Sequence, residues 1–248
     1  MLILLPPSEG KTGRSRGRRL ELDRLSFPAL NPTRQAVASA LVGVSARSDA
    51  AELLGVSPGA TADIARNLVL HESPTLPAGQ VYSGVLYAAL DLTSMDSAAR
   101  RRAHRWIVVV SALYGAVRLT DPIAPYRLSM AVNLPGAGPL GSVWRPQLSG
   151  VLPDAAGHGL VVDCRSSTYA GAWAPGPALA SRWVQVRVPG ASHMAKHTRG
   201  LVARHLCVTG ADPRRPEQLV SALCDAFDVA LTPPARPSRP WVLDALAS

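Results

Sequence analysis

No stretch of this chain approaches the ~18 uncharged apolar residues of a membrane-spanning helix, so no membrane partner is expected. Cysteine is scarce: Cys164, Cys207 and Cys224 are odd in number and lack metal-ligand spacing. That pattern argues against a secreted disulfide framework and for reduced thiols in a cytoplasmic setting. The apolar opening, residues 1–7, lacks a basic leading region and is too short for a signal peptide, so it reads as a buried first strand. Acidic residues are outnumbered, 17 against 26 basic ones. With 47% hydrophobic residues the composition excludes a disordered chain, and 248 residues suffice to bury one sizeable core.

The scarcest of the charged residues is lysine. Of the 26 basic side chains only Lys11 and Lys196 are lysine, and the rest are arginine. A formal charge of +9 draws nucleic acid, nucleotides or other anions by long-range attraction. An arginine-rich coding bias would give the same sum. The two lysines are more informative, because a compact ammonium with a tunable pKa does what a planar, permanently charged guanidinium cannot.

Periodicity predicts strands over residues 1–5, 106–110, 160–162 and 183–188, the second an apolar run typical of a strand buried on both faces. Helices are expected within 32–70 and over 98–105, 192–207 and 216–229. Within 32–70, two short helices about Gly55-Val56-Ser57-Pro58-Gly59 read either as an ordinary helical pair or as a helix-hairpin-helix with unusual glycine spacing. Residues 13–19 hold four arginines among glycine and serine and read as a basic loop. No repeat or linker divides the chain. The expected organisation is one α/β domain over residues 1–231, followed by a proline-rich C-terminal extension, 232–248, of which 232–240 is expected to lie extended over the surface.

Four segments carry possible chemistry. Pro7-Ser8-Glu9-Gly10-Lys11-Thr12 follows a strand but lacks the first glycine of a phosphate loop, where Leu5 stands. It presents a hydroxyl, a carboxylate and a lysine, or is simply a solvated turn. The second segment runs from Ser111 through Tyr114, Arg118 and Asp121 to Tyr126 and Arg127, beyond a buried strand where open sheets place ligand crevices. Arginine forks and tyrosines grip phosphates or stack on bases, although Arg118 and Asp121 could instead hold a turn. In the third, Asp163 precedes Ser166 and Tyr169 and would act as a base or cap a helix. The fourth is the helix with Lys196, Arg199 and Arg204, in which Gly200 between cations would leave room for a phosphate. His193 and His197 have zinc-pair spacing, but Met194 replaces the zincin glutamate and no third ligand is evident. No metal and no cofactor are therefore expected.

Together these segments resemble the YaaA family of bacterial peroxide-stress proteins. The resemblance rests on the opening strand with Pro7-Ser8-x-x-Lys11-Thr12, Val81-Tyr82-Ser83-Gly84, Ser111-x-Leu113-Tyr114-Gly115-x-x-Arg118 and Pro125-Tyr126-Arg127-Leu128-x-Met130. It continues through Trp144, Ser166, Tyr169 and Lys196-x-x-Arg199-Gly200. Two positions depart: Asp163 stands where many members have asparagine, and Thr168 where many have an acidic residue. The resemblance implies a mixed sheet wrapped by helices, a positively charged cleft, DNA binding and protection against oxidative damage. On that reading Lys11, Arg118, Arg127, Lys196 and Arg199 grip DNA phosphates, with Ser8, Tyr82, Tyr114, Tyr126, Ser166, Tyr169 and Arg204 beside them. The rival reading is an enzyme for a nucleotide, nucleobase or related small anion, in which Lys11 or Lys196 is the tuned cation and Asp163 or a tyrosine assists. A closed pocket favours the enzyme, an open groove the binding protein.

Overall fold

The computed structural model describes residues 1–190 and 192–247, apart from the side chains of Pro58, Ser192 and His193. Strand β1 (Leu2–Leu5) is apolar at every position and buried at every position, which requires neighbours on both edges and both faces. It lies near the middle of a seven-stranded sheet with β2 (Ile107–Ser111), β3 (Gly115–Arg118), β4 (Val161–Asp163), β5 (Trp183–Arg187), β6 (Phe227–Thr232) and β7 (Trp241–Ala247). The spatial order is β6-β7-β5-β4-β1-β2-β3. β1 pairs in parallel with β2 on one side and β4 on the other, and β4 with β5 and β5 with β7 are also parallel. The two edge pairs, β2–β3 and β6–β7, are antiparallel hairpins. Mixed α/β content in a single compact domain follows, as the strand and helix patterns imply.

Helices α1 (Asn31–Ser45) and α4 (Leu140–Ser149) pack on each other, while α2 (Val85–Leu90), α3 (Ser97–Trp106) and α6 (Pro216–Leu223) all pack on α5 (Ser192–Thr209). The closest approach is between α2 and α5. A Cβ on Gly200 would stand 2.3 Å from the Leu86 carbonyl oxygen, so the glycine brings one backbone against another. The space expected there for a phosphate is filled by α2. Gly115 plays a comparable part at φ 70°, where a Cβ would meet the Trp144 ring at 2.4 Å. Trp144 in turn donates its Nε1 hydrogen to the Ala112 carbonyl at 2.8 Å.

Three expectations are corrected. The helix expected over 216–229 ends at Leu223, and Phe227, itself buried, opens a strand whose later residues alternate between exposed and half-buried. The C-terminal extension does not stand outside the domain: its last residues, Trp241–Ala247, are inserted between β6 and β5, register-paired with both. Proline in 233–240 occupies the connection between β6 and β7, where no ladder hydrogen bond is lost. Trp106 closes α3 instead of opening β2, and helix passes directly into strand.

Candidate functional site

From β1 the chain crosses to β2 on one side of the sheet and later adds β4 on the other. Such a reversal opens a crevice beyond the carboxyl ends of the two strands. A cavity of about 990 Å³ occupies this place, lined by the loop after β1 (Pro6 to Lys11), by Ser166, Ser167 and Tyr169 after β4, and by the end of β5. Gly84 at the head of α2 and Lys196 and Arg199 on α5 complete its wall.

The β1 loop is held in shape by the Val81–Gly84 segment. Thr12 donates its amide to the Val81 carbonyl at 2.8 Å, Lys11 and Tyr82 form an isolated bridge, and the Ser83 amide donates to Ser8 Oγ at 2.9 Å. Ser8 Oγ donates to the Gly10 carbonyl, and Tyr87 donates its hydroxyl to the Pro6 carbonyl at 2.8 Å. Inside this scaffold Lys11 is 7% exposed. Its Nζ donates to the Ser8 carbonyl at 2.8 Å and the Glu9 carbonyl at 3.4 Å, and lies 4.3 Å from the centroid of the Tyr126 ring.

Burial, with the neighbouring Arg127 guanidinium and more weakly Arg66, brings the Lys11 ammonium down to about 7, against the opposing pull of Asp63 and Glu9. Those carboxylates are turned to arginine. Arg127 lies 4.0 Å from Glu9 and 4.0 Å from Asp63, and Arg66 3.5 Å from Asp63. Arg66 also donates to the Lys11 carbonyl at 2.7 Å. The Arg127 backbone is clamped by Asn67, whose amide group makes 2.8 and 2.9 Å bonds to the Arg127 amide and carbonyl.

Ser8, Lys11, Arg127, Ser166, Tyr169, Lys196 and Arg199 thus converge on one cavity. Tyr169 is half-buried, and burial pushes its phenol up to about 12. Arg199 donates its Nε hydrogen to the Val186 carbonyl at 3.2 Å. Lys196 is exposed at the rim. Tyr82 and Tyr126 lie behind the lining. The Tyr126 hydroxyl is 2.7 Å from Ser111 Oγ and 3.4 Å from the Tyr82 hydroxyl, and burial raises both phenols well above their ordinary value.

Four expected residues are elsewhere. Asp163 is fully buried, and both oxygens of its carboxylate are occupied, by a bidentate Arg165 (2.8 and 2.7 Å), the Arg165 amide and Trp183 Nε1 at 3.1 Å. Tyr114 is structural: its hydroxyl donates to the Ala124 carbonyl at 3.0 Å, and its own carbonyl accepts from the fully buried Arg34 at 2.9 Å. Arg118 lies beside Arg105, Met1 and Arg214, at the other end of the strands from the cavity, and donates to the Arg105 carbonyl. Arg204 is held against the end of α2 by the carbonyls of Leu90 and Asp91 and by Ser94 Oγ. The Arg118 backbone amide does bond Asp121, at 3.0 Å, the turn-holding alternative.

The sequence reading missed Asp63, Arg66 and Asn67, which position Lys11 and Arg127, and Arg187 in the wall. Asp63 and Arg66 carried a faint signal in their i, i+3 spacing on a helical segment. The Gly55 turn (φ 61°) follows the short helix Ala50–Leu53 and joins the cavity wall with Leu54 and Val56. The His193 side chain lies outside the described structure, and the histidine pair lies outside it too. Among the described residues no group of three or more histidine, cysteine or carboxylate ligands comes together. Nor is any helix long and apolar enough to cross a membrane.

A family model described as "Peroxide stress protein YaaA" matches residues 1–230, which takes in every wall of the cavity. The chain belongs to this family. It is 48% identical to a UPF0246 protein of Streptomyces coelicolor over 99% of this chain and 98% of that protein. A UPF0246 protein of Corynebacterium glutamicum is 36% identical over 89% of this chain and 91% of its own length. A more distant relative from Cereibacter sphaeroides is 29% identical over 96% of this chain.

Proposed function

We propose that the cleft takes a small nucleotide-like or otherwise phosphate-bearing anion and that this member of the family acts on it as an enzyme. The observation that carries the reading is the Lys11 amine, buried inside a cavity at the sheet's reversal point. A phosphate backbone is gripped by exposed, permanently charged cations. An amine only 7% exposed, and brought down to about 7, suits a ligand that enters and excludes water. Lys11, Arg127, Arg187, Lys196 and Arg199 line the cavity against Glu9 as carboxylate, which supports an anionic ligand. The volume suits a nucleotide-sized molecule.

A second reading has its own observation. Arg14, Arg16, Arg18 and Arg19 are all exposed on the loop that leaves Lys11, where they favour nucleic acid and a role in shielding DNA during peroxide stress. The two readings separate in one titration of the full chain with adenosine monophosphate and with a duplex oligonucleotide, each at low and high salt. Saturable nucleotide binding that weakens in Lys11→Met, while duplex binding is unchanged, supports the enzyme reading. Duplex binding that depends on Lys11 and Lys196, with the nucleotide ignored, would replace it by a DNA-binding cleft.

A further inference from the structure

We infer that Lys11 is the covalent centre of the cleft, where its amine condenses with a carbonyl group of the anionic ligand to form an imine. The inference rests on the reading of the cleft as a small-anion pocket and adds the ligand's reactive group.

Three observations carry it. Arginine supplies every other basic side chain except Lys196, yet at residue 11 the buried cation is a lysine, and of the two side chains only the amine loses its proton readily enough to act as a nucleophile. The amine is held but not neutralised. Its donors go to the main-chain carbonyls of Ser8 and Glu9, while the carboxylates of Glu9 and Asp63 lie within 4.0 Å of Arg127. Finally, burial out of water, helped by the Arg127 and Arg66 guanidiniums and opposed by Asp63 and Glu9, leaves it partly unprotonated near neutral pH. A desolvated lysine beside other cations is the arrangement that activates an amine for attack on carbonyl carbon.

The step balances without any redox partner. The Nζ lone pair forms a C–N bond to the carbonyl carbon, a proton passes from nitrogen to the carbonyl oxygen through solvent in the cavity, and the carbinolamine loses water as its C–O bond breaks. Amine and carbonyl compound become imine and water. Arg127, in the same wall, stands as the partner for the ligand's anionic group.

The lysine count makes the test direct. Pyridoxal 5′-phosphate serves as a probe because it is both an aldehyde and a phosphate. The full chain is incubated with it, reduced with sodium borohydride and mapped by peptide mass spectrometry, alongside a titration with adenosine monophosphate. Lys196, exposed at the rim, and the Met1 amine are internal controls. The expected result is an adduct at Lys11 formed at least ten-fold faster than at Lys196, suppressed by adenosine monophosphate and faster as pH rises through about 7. Labelling confined to Lys196 or the Met1 amine, with adenosine monophosphate still binding saturably, overturns the imine and leaves the pocket reading standing. No saturable binding of either compound overturns the pocket reading itself.

Discussion

Lys11 and Lys196, the two lysines of the chain, line one cavity from opposite ends of the sequence, one buried beneath the β1 loop and the other exposed on α5. Their different burial gives them different chemistry. An exposed ammonium contributes charge, whereas one out of water is easier to deprotonate.

The buried lysine predicts a pH dependence of stability. Its folded-state pKa, about 7, lies below the ordinary lysine value, 10.5, so between these limits the unfolded chain binds more protons. Its contribution is complete above 10.5 and is lost as pH falls through about 7. Over that window it should raise stability with pH by up to about 1.4 kcal/mol per unit. Urea unfolding of wild type and Lys11→Met between pH 7 and 9.5 checks this. Equal slopes for the two proteins would refute it.

A ligand anion should restore the proton. If a phosphate group binds near Lys11, binding at pH 7.5 should take up a fraction of a proton, and affinity should fall as pH rises from 6 to 8. Calorimetry of adenosine monophosphate binding in two buffers of different ionisation enthalpy measures the uptake. Lys11→Met should abolish it.

The arginines should divide sharply. Arg127→Ala removes a cation from the cavity wall and is expected to weaken adenosine monophosphate binding by about ten-fold or more, corresponding to a lost charged hydrogen bond. Arg118→Ala and Arg204→Ala lie outside the cavity and should leave that affinity within two-fold of wild type. A loss in Arg118→Ala comparable to that in Arg127→Ala would contradict the assignment of the site.

Asp163→Asn should act on stability. The substitution leaves the buried Arg165 without its counter-charge while its bonds to the Tyr169 and Trp173 carbonyls remain, at an expected cost of about 3–5 kcal/mol in denaturant unfolding. A variant as stable as wild type would show that Arg165 does not depend on the Asp163 charge. An ordinary alanine methyl at residue 200 should also be costly, by about 1–3 kcal/mol, because it meets the Leu86 carbonyl backbone.

Much of this was legible from residue types and their order. Burial of β1 and β2 was encoded in uninterrupted apolar runs, and the loop after β1 announced itself by a hydroxyl, a carboxylate and a rare lysine in succession. Less legible were polar residues whose partners are distant in the chain. Asp163 reads as a base from its position at a strand end, but Arg165 and Trp183 occupy its oxygens. Arg118 follows a family block into the sequence neighbourhood of Tyr126, yet β3 runs antiparallel to β2 and carries it to the far end of the sheet. The final strand was hidden by the prolines before it, whose weight in the composition masked the alternating residues beyond.

By itself the sequence determined the strand-and-helix grammar, the family and the scarcity that singled out Lys11, since each depends on local residue type and periodicity. Tertiary structure alone decided which cations share a cavity, because the crossing from β1 to β2 and the later addition of β4 set which loops meet. It decided, too, that Lys11 is desolvated while Lys196 is not. Burial is a property of what packs around a side chain, and the Tyr126 ring, the Val81–Gly84 segment and Arg127 all reach Lys11 from distant parts of the chain.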